Sequence, residues 1–586
     1  MKSHPITRWL ASVLCGGSAS LALAAELPEV ANAIVYELPK YTVTNPLELP
    51  APEAWRYARI PGFEVLSNAS DGATQRFLKD FQVMQQVLDI TWPVLRRVGT
   101  PLPTTLILTT RGRAADSFFH PRGRLVETAM AFEFQEFDPS DPTQGRGGLS
   151  RVASRFYADE EQACIVVNLA EEGSGNADPY RQFYEQYLRY LMSRFDAPMP
   201  PWLVEGVASL FAGIDYSEKW IEFGQLGGRK DDFNQLLTPK PAGAPAGDSD
   251  DPAPQSQRDD AVPAPLTSGV GAVPALAAML GASEEQMRGD PKLRILARGF
   301  VHLCLYGRGL KYQKPLFVYL SRVKGGAGSE EIFRESFGMT YAQMRDELLG
   351  YAAFTDYRHI QFSAQKGRGL TRPDATTLRA ATPAEIGRIK GDGLLLAENR
   401  DAAFLELLAP YMRKQQDNDL LASLALFELH SESSTRAQRG RKLLEAAVAG
   451  GTTRAKAYLE LARLRIGEQV GSIDGAQREQ VLELLRKAAT LPPPLFGVYE
   501  QLANLWWEAE AKPPSGDLVL LEQGVRRFPG QLGLVYRTAR LCADGGRVAQ
   551  AAAMAEWGER AAREPKDKQR FAELRASLPP RNNARK

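Results

Sequence analysis

The stretch YRQFYEQYLRYLMSRFDAPMPPWLVEGVASLF, Tyr180 to Phe211, decides how the rest of the chain is read. Its first part places Phe183, Tyr184, Tyr187, Leu188, Leu191 and Phe195 at helical spacing, a broad apolar stripe that must face a core. Asp178 and Pro179 precede it as cap and first-turn residue, where a missing N–H costs nothing. Pro198, Pro200 and Pro201 break the run, and a second short helix is expected from about Trp202 to Phe211. Two helices joined by a proline-rich corner define this part of the molecule.

Upstream, strand and helix signals alternate, so residues 55–175 read as an α/β subdomain. Strands are expected at Gly62–Asn68, Thr104–Thr110 (TTLILTT), Met130–Phe134 and Ala163–Leu169 (ACIVVNL), the runs rich in β-branched and aromatic residues. Between the first two, Phe77, Phe81, Met84 and Leu88 recur on one face of a long helix. Asp138–Arg151 reads as a loop, and residues 25–54 as a proline-rich lead-in containing Pro39, Pro46, Pro50 and Pro52. Asn68-Ala69-Ser70 fits a glycosylation pattern too common by chance to carry weight.

Downstream, residues 176–355 read as a helical subdomain interrupted at 237–270 by a stretch of Pro, Ala, Gly and Asp, too poor in large apolar residues to offset its ordering entropy. Thr340 and Gln343 form a capping-box pattern. From about 380 to 580 helices come in pairs. Small residues recur inside the first helix of each pair at Ala425, Ala462, Ala503 and Ala539, intervals of 37, 41 and 36 residues. A small side chain there lets the helices of a hairpin approach closely. This region resembles tetratricopeptide repeats, with Gly391–Tyr411 as a weaker further pair.

The 586 residues carry 71 Lys+Arg against 70 Asp+Glu, which removes the electrostatic footprint expected of a nucleic-acid binder. Lys2 and Arg8, an apolar stretch, and Ala22-Leu23-Ala24 read as a signal peptide over residues 1–24, so the expectation is export to the periplasm or beyond the cell. Leu14 ahead of Cys15 argues against lipid attachment there. Cys164, Cys304 and Cys542 all lie in apolar patterns and are expected to be buried thiols. No transmembrane segment is expected.

The paired motifs at Tyr180–Leu191 and Pro200–Phe211 resemble those of the peptidase MA-like proteins, relatives of the gluzincin metallopeptidases. Their H-E-x-x-H helix is followed by PPW-L-x-E-G-x-A. The resemblance covers roughly residues 55–351, including RGFVHLCLYG (Arg298–Gly307) and FRESFGMTYAQMRDEL (Phe333–Leu348). It implies an α+β metallopeptidase-like fold in which two His one turn apart and a downstream carboxylate hold zinc while a Glu activates water. Aligned on this chain, Tyr184 and Leu188 stand where the two His belong. Glu185 matches the general base and Glu205 the third ligand, both vestigial. Only His120, His302, His359 and His430 remain after signal removal, no two close in sequence. His302 reads as a hydrogen-bonded core imidazole, and Trp202 as a packing anchor.

No G-x-S-x-G, Walker A or dinucleotide-binding pattern is present. The expectation is therefore a non-catalytic exported protein with no cofactor. Its degenerate metallopeptidase-like α+β domain would precede an all-α helical-repeat region that binds a protein or peptide. The alternative is a divergent metal-dependent hydrolase centred on Glu185 and Glu205. The binding residues are not specified by the sequence.

Overall fold

The computed structural model describes residues 38–41, 49–92, 95, 102–110, 117–119, 132–134, 149–151, 153–171, 179–195, 199–217, 220–223, 275–323, 328–352, 360–363, 370–467 and 475–579. Asp178, His120, His359, the signal-peptide residues and the 237–270 insertion lie outside these residues. Among those described, no helix is long and apolar enough to cross a membrane. The described residues from Pro39 onward form one compact unit.

A six-stranded mixed sheet lies at the front of the chain. Its strands are β1 (Arg56–Ile60), β2 (Phe63–Ser67), β3 (Thr104–Thr109), β6 (Ser154–Ala158), β7 (Ala163–Asn168) and β11 (Arg379–Ala380), in the order β11-β1-β2-β3-β7-β6. The short β4 (Phe132–Phe134) and β5 (Leu149–Arg151) pair with each other between β3 and β6. The loop expected over Asp138–Arg151 therefore ends in a strand. β2, β3 and β7 run parallel, with β2 and β3 linked through helix α1 (Asp71–Thr91). Ser70 caps α1 through a bond from the Ala73 amide, and Asn68 accepts from the Thr110 amide at 2.9 Å. Both polar residues of the Asn68-Ala69-Ser70 pattern thus have local work in the fold.

TTLILTT and ACIVVNL read as near-continuous apolar runs because the sheet is covered on both faces. Leu106, Leu108, Ile165 and Val167 pack on one side with Phe77, Phe81, Met84 and Leu88 of α1 and with Phe183, Tyr187 and Leu188. Ile107, Cys164 and Val166 point the other way, where Trp55, Tyr57, Phe118, Ile389 and Leu394 cover them.

Helices α2 (Pro179–Ser193) and α3 (Pro201–Phe211) follow, then α4 (Leu276–Leu280), α5 (Glu284–Gly289), α6 (Pro291–Tyr306), α7 (Gln313–Val323), α8 (Glu330–Phe337) and α9 (Tyr341–Ala352). A small antiparallel sheet of β8 (Asp215–Tyr216), β9 (Trp220–Phe223) and β10 (Ile360–Ser363) joins the start and end of this helical part. The capping box at α9 is complete: Thr340 N–H donates to Gln343 Oε1 at 2.8 Å, and Gln343 N–H donates to Thr340 Oγ1 at 3.2 Å. His302 is fully buried with Nδ1 2.7 Å from the Tyr351 hydroxyl, the environment of a core imidazole. Cys164, Cys304 and Cys542 are buried free thiols.

The remainder is helical: α10 (Pro383–Leu396), α11 (Arg400–Met412), α12 (Asn418–Leu429), α13 (Ser434–Ala449), α14 (Ala455–Gly467), α15 (Gly475–Thr490), α16 (Phe496–Trp507), α17 (Ser515–Arg527), α18 (Leu532–Asp544), α19 (Val548–Ala561) and α20 (Pro565–Ser577). Ala425, Ala462, Ala503 and Ala539 are all fully buried. Across the α12–α13 pair, a Cβ on Gly440 would meet the Leu429 backbone nitrogen at 2.7 Å and the Ala425 carbonyl at 2.9 Å, so the spacing depends on small residues in both helices. The weaker pair expected at Gly391–Tyr411 is α10–α11. It starts earlier, at a Thr382 to Glu385 capping box, and supplies the residues that cover the second face of the sheet.

Candidate functional site

Trp202 opens α3 and is almost wholly buried against Phe300 and Tyr319, ring centroids 5.5 and 6.4 Å away. Gly206 follows because α3 and α6 are nearly touching there. A Cβ would sit 2.7 Å from Val301 Cγ2 and 2.8 Å from the Ala297 carbonyl oxygen. The tryptophan and glycine of the PPW-L-x-E-G pattern thus fix the α3–α6 contact. That contact sets Glu205 on the buried side of α3, facing α2.

Glu205, 3% exposed, meets an arginine there. Arg189 Nε donates to Glu205 Oε1 at 2.9 Å and Arg189 Nη2 donates to Oε2 at 2.7 Å, a bidentate fork. The same guanidinium lies 3.7 Å from Glu185 Oε2, one helical turn back on α2. Burial alone would raise the Glu205 pKa. Arg189 above all, with Arg294 and Arg288, more than offsets this and leaves it below the ordinary carboxylate value. Glu185 and Glu205 do converge, around a fixed organic cation.

The other two positions have different company. Tyr184 donates its hydroxyl to Asp80 on α1, and Tyr216 on β8 donates to the same carboxylate; the two phenol oxygens are 3.1 Å apart. Burial, reinforced by Asp80, raises the pKa of both phenols. Leu188 is fully buried in the core beneath the sheet. Among the described residues, no group of three or more His, Cys, Asp or Glu side chains could hold a metal ion.

This arrangement can bind charge and stiffen the α2–α3 corner. Both oxygens of Glu205 are engaged by Arg189, which holds the carboxylate in an ion pair. Sequence reasoning missed Arg189, although its i,i+4 spacing from Glu185 was a readable signal. Asp80 and Tyr216 were not foreseeable, since they lie 104 and 32 residues from Tyr184.

A second charged cluster lines a cavity of about 630 Å³ between one end of the sheet and the helical pairs, bordered by Arg59, Glu64, Glu161, Arg388, Asp419 and Arg454. Its three arginines are each held by carboxylates of the same wall. Arg454 grips Glu161 at 3.0 and 2.9 Å and Asp392 at 3.1 and 3.2 Å, while Arg388 donates to Glu64 at 3.0 Å. Asp419 accepts from the Thr452 hydroxyl and from the Thr453 amide and hydroxyl at 2.6–2.9 Å. The cluster reads as a weld between the sheet and the helices.

Comparison with known proteins returns no match to a protein-family model, to a curated protein or to a solved structure.

Proposed function

We propose that this chain is an exported binding protein in which a metallopeptidase-like front half has given up its metal centre, and in which tetratricopeptide-like helical pairs engage a protein or peptide. The observation that carries the reading is Arg189. A guanidinium forked onto Glu205 and set 3.7 Å from Glu185 supplies, inside the fold, the positive charge that a divalent ion would bring to two carboxylates. Tyr184 and Leu188 complete the substitution, one hydrogen-bonded to Asp80 and the other packed in the core. The buried alanines at 425, 462, 503 and 539 support the repeat reading, and helical repeats act through extended surfaces.

The test is metal analysis and a broad peptide-cleavage assay on the mature protein, with mass determination of its N-terminus. The expected result is substoichiometric zinc, no cleavage, and a chain starting at Ala25. Stoichiometric zinc together with hydrolysis abolished by Glu185→Gln would overturn the non-catalytic reading.

A further inference from the structure

The helical region already holds a peptide, and that peptide is its own chain. Pro39 and Tyr41 lie against α11 and α13. The Pro39 carbonyl accepts a bond from the Tyr411 hydroxyl at 2.6 Å. Tyr41 sets its ring edge-on to Tyr411, centroids 5.4 Å apart, beside Phe404 at 6.4 Å, and the Arg439 guanidinium covers its face at 4.5 Å. At the bottom of the cradle lies Glu428, fully buried. Arg436 and Arg439 both bond its Oε2, at 3.2 and 3.1 Å, while Glu428 Oε1 and the Tyr41 hydroxyl are both buried without a hydrogen-bond partner among the described residues.

These features belong to a recognition pocket more than to a core. A cation over a ring and an edge-on aromatic each favour an aromatic side chain at this position. Pro39 holds the backbone extended in advance, which lowers the ordering cost of binding. Apart from the ring, this stretch is held through a single backbone carbonyl, and Lys40 between the two anchors is exposed.

We propose that the cradle formed by α11, α12 and α13 is a binding site for an extended peptide with proline two residues before tyrosine. Residues 39–41 occupy it in cis, and a partner segment of the same chemistry takes it in trans. The proposal rests on the binding role proposed for the helical pairs and gives that role a ligand class. A tethered segment competes at an effective concentration of roughly millimolar, so the free site is masked in the intact chain.

The experiment uses the full mature chain and a fluorescent peptide with the sequence of residues 37–43, ELPKYTV, read by anisotropy. Tyr41→Ala should bind the peptide saturably, and the wild-type chain at least ~10-fold more weakly. Arg439→Ala added to Tyr41→Ala should abolish binding, because it removes the cation over the ring. Equal binding by wild type and Tyr41→Ala overturns the proposal, as does no binding by a Tyr41→Ala chain with unchanged circular dichroism. A Tyr41→Ala chain that fails to fold overturns it too, because the segment would then belong to the core. Cleavage of the bound peptide would overturn the non-catalytic reading while leaving the site standing.

Discussion

Two arginines each hold a pair of carboxylates, and the difference between them shows how this molecule is assembled. Arg189 joins Glu185 and Glu205, four and sixteen residues away, across the corner between two consecutive helices. Arg454 joins Asp392 and Glu161, 62 and 293 residues away, and so ties the β6–β7 turn to α10 and to the start of α14. The first stiffens one corner. The second fastens the helical pairs to the sheet. Removing a partner from a buried ion pair is costly because it strands the other charge away from water.

Arg454→Met therefore has the largest expected effect. It strands two carboxylates that are only 5% and 4% exposed, Glu161 and Asp392, and should cost more than the ~3–5 kcal/mol typical of one stranded partner. Urea unfolding followed by circular dichroism and by tryptophan fluorescence would read it. If the weld is as described, the helical pairs should also become protease-sensitive in the variant. A loss smaller than that of Arg189→Met would reverse the comparison.

Arg189→Met should cost about 3–5 kcal/mol at neutral pH, with a pH signature of its own. In the wild type, Arg189 holds the Glu205 pKa below its unfolded value of about 4.3, so this stabilisation is complete above that pH and is lost as pH falls through the lowered folded value. Without Arg189, burial dominates and pushes Glu205 the other way. The deficit of the variant should then be greatest near neutrality and shrink as acid protonates Glu205. Asp392 adds a background of opposite sign, because burial raises it despite Arg454, but it is common to both proteins and cancels in the difference. A deficit independent of pH between 3 and 7 would remove Glu205 from the account.

How much of this was legible follows the same division between near and far. The long apolar runs of β3 and β7, the spacing of Phe77, Phe81, Met84 and Leu88, and the proline corner before Trp202 are local patterns, and the structure has those elements within a residue or two. β1 and β6 escaped because RYARI and SRFYA mix charged and apolar residues, as hairpin strands outside the parallel core do. β11 has two residues and no pattern to read. At the site, the positions of Tyr184, Leu188 and Glu205 were readable, and Arg189 carried a local signal in its spacing from Glu185, but the partners of Tyr184 were not readable. Asp80 and Tyr216 are supplied by tertiary packing, and nothing local to Arg454 announces Glu161. The Thr382-Pro383-Ala384-Glu385 box is by contrast a local pattern that the sequence does display.

Close approach of helices offers a mid-sized test in both halves. Gly206→Ala would press a methyl group onto Val301 and the Ala297 carbonyl, and Gly440→Ala onto the Leu429 nitrogen and the Ala425 carbonyl, each with contacts of 2.7–2.9 Å. Overpacking of this kind costs about 1–3 kcal/mol. Both variants should unfold at lower urea concentration with an unchanged slope. Similar losses would show that the front half and the helical pairs rely on the same small-residue contact, and a neutral Gly440→Ala would deny the pairs that dependence.

The smallest effects should come from the features most visible in the sequence. Thr340→Ala and Thr382→Ala each remove one capping oxygen, worth about 1 kcal/mol. The two boxes are not equivalent. Both boxes stand on exposed surfaces, but at α9 the partner is the neutral Gln343. At α10 the partner Glu385 also pairs with Arg379 of β11, and α10 covers the sheet through Ile389 and Leu394. Fraying at Thr382 loosens a helix whose far side carries Asp392, one of the two carboxylates held by Arg454. Thr382→Ala should therefore exceed Thr340→Ala, and its effect should fall when measured in an Arg454→Met background, because the weld it supports is already broken. Additive losses in that double variant would mean that the α10 cap and the weld are independent, and that Arg454 acts only on the carboxylates it touches.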